Sequence, residues 1–455
     1  MRPPFVTFAV ALALGSLATV PAGAVDLVAI GKIAATATDF SGQSGSLENG
    51  IRGDLLGGIG SGLTWAGGST FLALPDRGPN AVAWNASVDN TSSFIPRFHT
   101  LTLALTQTPD ASTGLPFTLV PSLVGTTMLY SRTALNYGGT VGGFPATPAA
   151  NTSRRFYFSG RSDNFNPATT SADLADARLD PEGIRLAASG TSVFISDEYG
   201  PYIHQFDRAS GGRGRSIVLP PELAVAHKFS SGSAETSGNT SGRVANKGME
   251  GLAISPDGQT LFGFMQSPLI QDGGDGGRVN RVLKIDIASG AVQQFVYDNY
   301  LADKSKAYSS SEILALNSHE LLVLERDGKG LGDDSNAVVK RIYKIDLNGA
   351  QDVTGMSGQT TLLNFAMPKT LFLDLTAKLG TKLTPAQIPA KLEGMAFGQD
   401  VVVGGVVKHT LYVGNDNDFI ATTPGGLVNP NQWFVFTFDD SDLGGSVFVN
   451  QTLPN

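Results

Sequence analysis

Met249-Glu250-Gly251-Leu252, followed by the turn Ser255-Pro256-Asp257-Gly258 and the apolar run Thr260-Leu261-Phe262-Gly263-Phe264, is one unit of a repeating chain. In the turn, Pro256 sets φ and Gly258 takes the positive-φ position, so two short strands fold back on each other. The Glu-led start returns as Pro181-Glu182-Gly183-Ile184, Ser311-Glu312-Ile313-Leu314 and Leu392-Glu393-Gly394-Met395. Each start is answered, after a second strand, by a polar cluster: Asp197-Glu198, Gln266-Ser267, Glu325-Arg326-Asp327 or Asp416-Asn417-Asp418. A copy without Glu runs from Ser61-Gly62-Leu63-Thr64 to Asp76-Arg77-Gly78. Units that return a carboxylate to the same station predict a ring of blades with acid gathered at one end.

The surrounding sequence agrees. Thr70–Leu74, Ser192–Ile195, Glu320–Leu324, His409–Val413 and Trp433–Phe438 are short, β-branched or aromatic runs bounded by turn residues. Arg281–Asp286 and Lys340–Asp346 alternate polar with apolar, as third strands should. The expected fold class is all-β, a β-propeller of six blades, with five or seven as the other counts. The sixth is a degenerate blade placed between residues 110 and 180, because the first repeat interval is about twice the others. A single domain is expected over 25–455. Its ring is closed by an N-terminal strand, Val25–Ile33, sharing a blade with Trp433–Phe438, and closure removes exposed sheet edges. Residues 140–175 and 230–247 read as long loops over one face. Leu371, Leu375, Leu379 and Leu383 recur at helical spacing and predict a short helix inserted between blades.

The totals narrow the function. A net charge of −8 over 455 residues argues against a nucleic-acid surface, which requires local positive charge. Met1-Arg2, the apolar run Phe5–Val20 and Ala22-Gly23-Ala24 read as a secretory signal over residues 1–24, cleaved after Ala24. Secretion or release into the periplasm is therefore expected, and no later run is apolar and long enough to cross a bilayer. The chain has no cysteine, so packing, with or without metal, must hold an exported protein together.

The repeated acids carry the candidate chemistry. Residues opening the innermost strand of a propeller blade lie near the central channel, where Glu182, Glu250, Glu312 and Glu393 would converge. Converging carboxylates repel unless protonated or bridged by a cation, and their hard oxygens suit Ca²⁺. The alternative is that each Glu accepts backbone amides and locks its own blade. Glu182 and Glu250, with Arg77 and Arg326, are the expected catalytic residues. Asp76, Asp197, Glu198, Glu312, Glu325, Glu393, Asp416 and Asp418 are the expected metal ligands. In Asp76-Arg77 and Glu325-Arg326 a carboxylate stands beside a guanidinium able to fork onto a phosphoryl oxygen, or simply to close a salt bridge. Arg185, Lys247 and Lys391 bring positive charge to the same mouth as expected anion contacts. His204 is a candidate general base; a strand histidine facing its neighbours is the plainer reading.

With Asp76-Arg77-Gly78-Pro79-Asn80, Asp180-Pro181-Glu182-Gly183-Ile184, Asp197-Glu198-Tyr199-Gly200, Lys247-Gly248-Met249-Glu250-Gly251 and Leu392-Glu393-Gly394-Met395 in place, the chain resembles a bacterial family. It is similar to the exported phytase-like proteins named for "esterase-like activity of phytase", from about residue 50 to 440. The resemblance implies a β-propeller and acidic residues that carry phosphoester hydrolysis. The expected activity is a metal-dependent hydrolase of a small, anionic phosphate ester with Ca²⁺ as cofactor. A calcium-dependent lactonase or carboxylesterase and a non-catalytic binding propeller with structural calcium stand as alternatives.

Overall fold

In the computed structural model, which describes residues 25–80 and 83–453, the opening unit pairs antiparallel as Met249–Ile254 with Thr260–Met265. It continues outward through Val279–Asp286 and Val292–Asp298. The other units repeat this order from the ring centre outward. They are Gly62–Trp65, Thr70–Leu74, Arg97–Thr106 and Thr118–Met128; then Pro181–Leu186, Ser192–Asp197, Tyr202–Asp207 and Arg213–Val218. The fourth runs Ser309–Ala315, Glu320–Arg326, Lys340–Asp346 and Lys369–Asp374. The last blade is built from both ends of the chain: Lys391–Phe397, Val406–Asp416 and Asn431–Phe438, with Asp26–Ile33 outermost. The result is an all-β propeller of five blades, closed by the terminal strands as expected.

No sixth blade forms between residues 110 and 180 among the described residues. Thr118–Met128 is instead the outer strand of the first blade, and the chain then leaves the ring. The excursion contains a two-stranded ribbon, Tyr130–Ser131 with Phe156–Tyr157. It is tied to the 230–247 loop by the buried ion pair of Arg178 with Glu235 at 3.1 Å, and Arg243 of that loop holds the other oxygen of Glu235 at 2.7 Å. The leucine spacing at 371–383 is only partly helical. Leu371 lies on the outer strand Lys369–Asp374, and the helix is confined to Leu375–Leu379, whose two end leucines are buried. The signal read over residues 1–24 lies outside the described residues.

The core lies between blades. Along Glu320–Arg326, Leu321 and Val323 pack toward the third blade with Phe262, Phe264 and Ile313. Leu322 and Leu324 pack the other way, with Leu392, Leu411 and Phe434 of the closing blade. A sheet covered on both faces needs apolar residues at every position, which is why these strands read as continuous apolar runs. At the ring centre the limit is steric. A Cβ on Gly183 would stand 2.5 Å from Leu252 Cβ, and one on Gly62 would meet the Glu182 carbonyl oxygen at 2.5 Å. Gly183→Ala is therefore expected to destabilise the protein by about 1–3 kcal/mol through overpacking. A denaturant series with an unchanged midpoint would refute this close approach.

Candidate functional site

The inner strands do not pair evenly with their neighbours; each of four carries a bulge near its start. Glu250 falls between the paired Met249 and Gly251, Glu182 between Pro181 and Ile184, and Glu393 between Leu392 and Met395. A bulge re-aims the extra residue, here into the channel mouth. In the fourth blade the skipped residue is Ser311, and Glu312 pairs with Leu324 as Gly251 pairs with Phe264. Glu312 therefore stands one residue deeper, at the glycine station. The first ring of mouth residues is Glu182, Glu250, Ser311 and Glu393, with Ser61 from the first blade.

The second strands supply another ring. Counting from the same paired positions, Asp76, Glu198, Gln266, Arg326 and Asp416 occupy one station in the five blades. Strand residues alternate sides, so the preceding residue in each blade turns away from the mouth. That removes two expected metal ligands. Asp197 accepts the amides of Asp180 and Tyr199, both at 3.0 Å, with His204 Nε2 3.9 Å from its other oxygen. Glu325 faces the third blade, bonded by Tyr297 Oη and Lys369 Nζ.

Glu312 is removed as well, by its one-residue shift. It accepts the amides of Leu252 at 3.1 Å and Ile313 at 3.0 Å and pairs with Arg185 at 2.8 Å. Arg185 is not an anion contact in the mouth. Its terminal nitrogens donate to the carbonyls of Leu63, Ile184 and Ile313, from three blades. Lys247 pairs with Asp275 at 2.6 Å on the rim of a neighbouring cleft of about 390 Å³, which Arg326, Lys306, Lys329 and Tyr308 also line. His204 is buried among Phe158, Tyr202 and Phe206 with its Nδ1 2.6 Å from Ser216 Oγ, and burial holds it neutral. It is a packed strand histidine.

Two further acids complete the mouth. Asp418 enters from the loop after Val406–Asp416. Asp180, which the sequence reading left without a role, precedes Pro181 and accepts both the backbone amide of Arg77 and its guanidinium. Its signal was available: an acid two residues before a repeated Glu. Among the described residues three cations line the mouth. Arg77 binds Asp180 and Asn246; Arg326 binds Glu393 and donates its Nε–H to Ser311 Oγ at 2.7 Å; Lys391 lies 2.6 Å from Asp416 and 2.8 Å from Asp418.

Asp76, Asp180, Glu182, Glu198, Glu250, Glu393, Asp416 and Asp418 thus face three cations, which leaves five carboxylates without counter-charge. Burial, then the neighbouring Glu250, pushes the Glu182 carboxyl far up; burial, then Glu198 and Glu393, does the same to Glu250. Burial pushes Asp76 up to about 7 and Glu198 up to about 8. Such groups hold protons in the fold that they release when unfolded. Their stabilisation is complete below the ordinary carboxyl range and is lost as pH rises through about 7 and 8. Metal-free protein is therefore expected to melt at a lower temperature at about pH 8 than at about pH 5, and calcium is expected to flatten the difference. A melting temperature that climbs across that window without calcium would contradict the assignment.

A cation fits the donor set. Oxygens of Asp180, Glu182 and Glu198 lie within 4.8 Å of one another, as do oxygens of Asp76, Asp416 and Asp418. Ca²⁺ takes oxygen ligands at about 2.3–2.6 Å, so oxygens this close can share one ion. Glu198 Oε1 is buried with no hydrogen-bond partner, a costly state for a carboxylate that a cation would relieve.

The family model described as "Phytase-like: Esterase-like activity of phytase" matches residues 54–419, which contain every mouth residue named above. An "Uncharacterized secreted protein" of Arthroderma benhamiae is 31% identical over 361 residues, covering 68% of this chain and 65% of that protein. The match thus spans less than two thirds of that relative's length. Among solved structures the chain is similar to the periplasmic gluconolactonase of Pseudomonas aeruginosa, at 11% identity and TM-score 0.32, covering 94% of this chain and 98% of that one. It is equally similar to the hydrazine synthase of Kuenenia stuttgartiensis, at 13% identity and TM-score 0.31, covering 83% and 86%. At these scores neither likeness bears on function.

Proposed function

This chain belongs to the phytase-like family described by the esterase-like activity of phytase, and from that premise we propose an exported, calcium-dependent hydrolase of phosphate esters working in the propeller mouth. The observation that carries the reading is the Asp180, Glu182 and Glu198 group, with its buried unpartnered oxygen and the Arg77 guanidinium bound to Asp180. These three carboxylates would hold the cation; when bound it would neutralise phosphoryl charge and lower the pKa of water. Arg77 and Arg326, each anchored by a carboxylate, would hold phosphoryl oxygens as charge builds on them. Burial, with Glu198 and Glu393 beside it, raises the proton affinity of Glu250, so it would carry the proton that a general acid donates. The description of the relative as secreted, together with the leader-like first residues, supports export.

A second reading has its own observation. Arg77, Arg326 and Lys391 are all engaged by carboxylates, which leaves little free positive charge for a dianion and favours a lactone or carboxylic ester. One panel separates the readings: purified protein, with and without calcium, on aryl phosphates, aryl acetates and lactones. Calcium-dependent release from the phosphates is the expected result. Turnover of lactones or acetates alone would transfer the site to the second reading, and inertness on all three would leave a binding propeller.

A further inference from the structure

The two carboxylate groups of the mouth are alike in composition and different in content. They are neighbours: Asp76 belongs to one, and the next residue, Arg77, binds Asp180 of the other. In the Asp76, Asp416 and Asp418 group a cation is already present, because Lys391 Nζ lies 2.6 Å from Asp416 Oδ2 and 2.8 Å from Asp418 Oδ1. Those separations are close to the reach of a metal–oxygen bond, so the ammonium occupies the volume an ion would take. Lys391 is also held there by the backbone, since it pairs directly with Asp416 across the strands. In the Asp180, Glu182 and Glu198 group, Arg77 reaches Asp180 from one side, and Glu198 Oε1 remains buried and unpartnered.

We propose that Lys391 is a built-in cation filling what is otherwise a second divalent-cation site, so that the mouth takes one ion and loss of the lysine creates room for another. The inference rests on the cation reading of the first group. An ammonium brings one charge and three donors to three carboxylates; a dication brings two charges to the same oxygens. Two dications in adjoining groups would repel strongly in a buried site, whereas a dication beside an ammonium repels less. The lysine thus sets the metal stoichiometry and keeps the Asp416–Asp418 loop ordered at every calcium concentration.

Calorimetric titration and metal analysis of the full-length exported protein with calcium alone test this. One ion per chain is expected for the parent, two for Lys391→Met, and one for the Glu198→Gln, Lys391→Met double variant. Parent with one ion and Lys391→Met also with one would overturn the inference and leave the cation reading standing. Parent with two ions would overturn it by placing metal where the lysine sits. Parent with none would remove the cation reading itself. Should Lys391→Met fail to fold, Asp416→Asn decides: it is expected to keep the single ion, and losing that ion would overturn the assignment of Lys391.

Discussion

Glu250→Gln is expected to lower calcium-dependent turnover by about 10²–10⁴-fold while the protein stays folded, and to raise the melting temperature of the metal-free form. The two signs together identify the role. If Glu250 merely accepted hydrogen bonds, an amide oxygen would largely replace the carboxylate, and stability would fall by about 1 kcal/mol. Glu250 instead lies against the carboxylates of Glu198 and Glu393, in a mouth with five acids beyond its cations. An amide needs no proton to be buried there, so the metal-free fold no longer bears the cost of protonating Glu250 and gains; the calcium-bound fold loses a carboxylate, so the calcium-induced rise in melting temperature shrinks. Glu182→Gln is expected to act alike, and the pair to be non-additive, because both charges belong to one cluster. Thermal melts with calcium and with chelator check both signs; a lower metal-free melting temperature with unchanged turnover would return Glu250 to scaffolding.

The blade repeat was legible because both faces of every central strand are buried, which writes long apolar runs between turn residues. The blade count was less so. The long first interval fits an extra blade as well as a loop excursion, and only pairing shows Thr118–Met128 completing the first blade. Within the site, spacing identified the station of the repeated Glu but not the side each neighbour faces. Asp197-Glu198 and Glu325-Arg326 each place one residue in the mouth and one between blades, and alternation alone cannot say which until the register is known. Glu312 shows the sharper limit. Its motif differs from the others in two places, Ser311 for an apolar residue before the Glu and Ile313 for the glycine after it, and the bulge is displaced by one residue so that Glu312 itself takes the glycine station. The repeated Glu residues therefore divide: Glu312 locks backbone amides, while Glu182, Glu250 and Glu393 face the mouth.

That displaced Glu has a structural consequence, and Arg185→Met is expected to cost about 3–5 kcal/mol. Glycines at the waist of the channel hold the inner strands in close approach, and into that waist the fourth blade inserts the Glu312 carboxylate and the second blade the Arg185 guanidinium. Arg185 then ties carbonyls of the first, second and fourth blades together, so it acts across the ring rather than within one sheet. Methionine fills similar volume but leaves Glu312 buried without counter-charge and three carbonyls without a donor. Glu312 is already pushed up to about 7 by burial despite its arginine, so the lone acid would be protonated in the variant and its penalty would deepen as pH rises. The double variant Arg185→Met, Glu312→Gln removes the stranded charge and is expected to recover part of the loss. Denaturant unfolding of the three variants at two pH values measures this directly; a double variant no more stable than Arg185→Met would show that the carbonyl ties, not the ion pair, hold the ring at its waist.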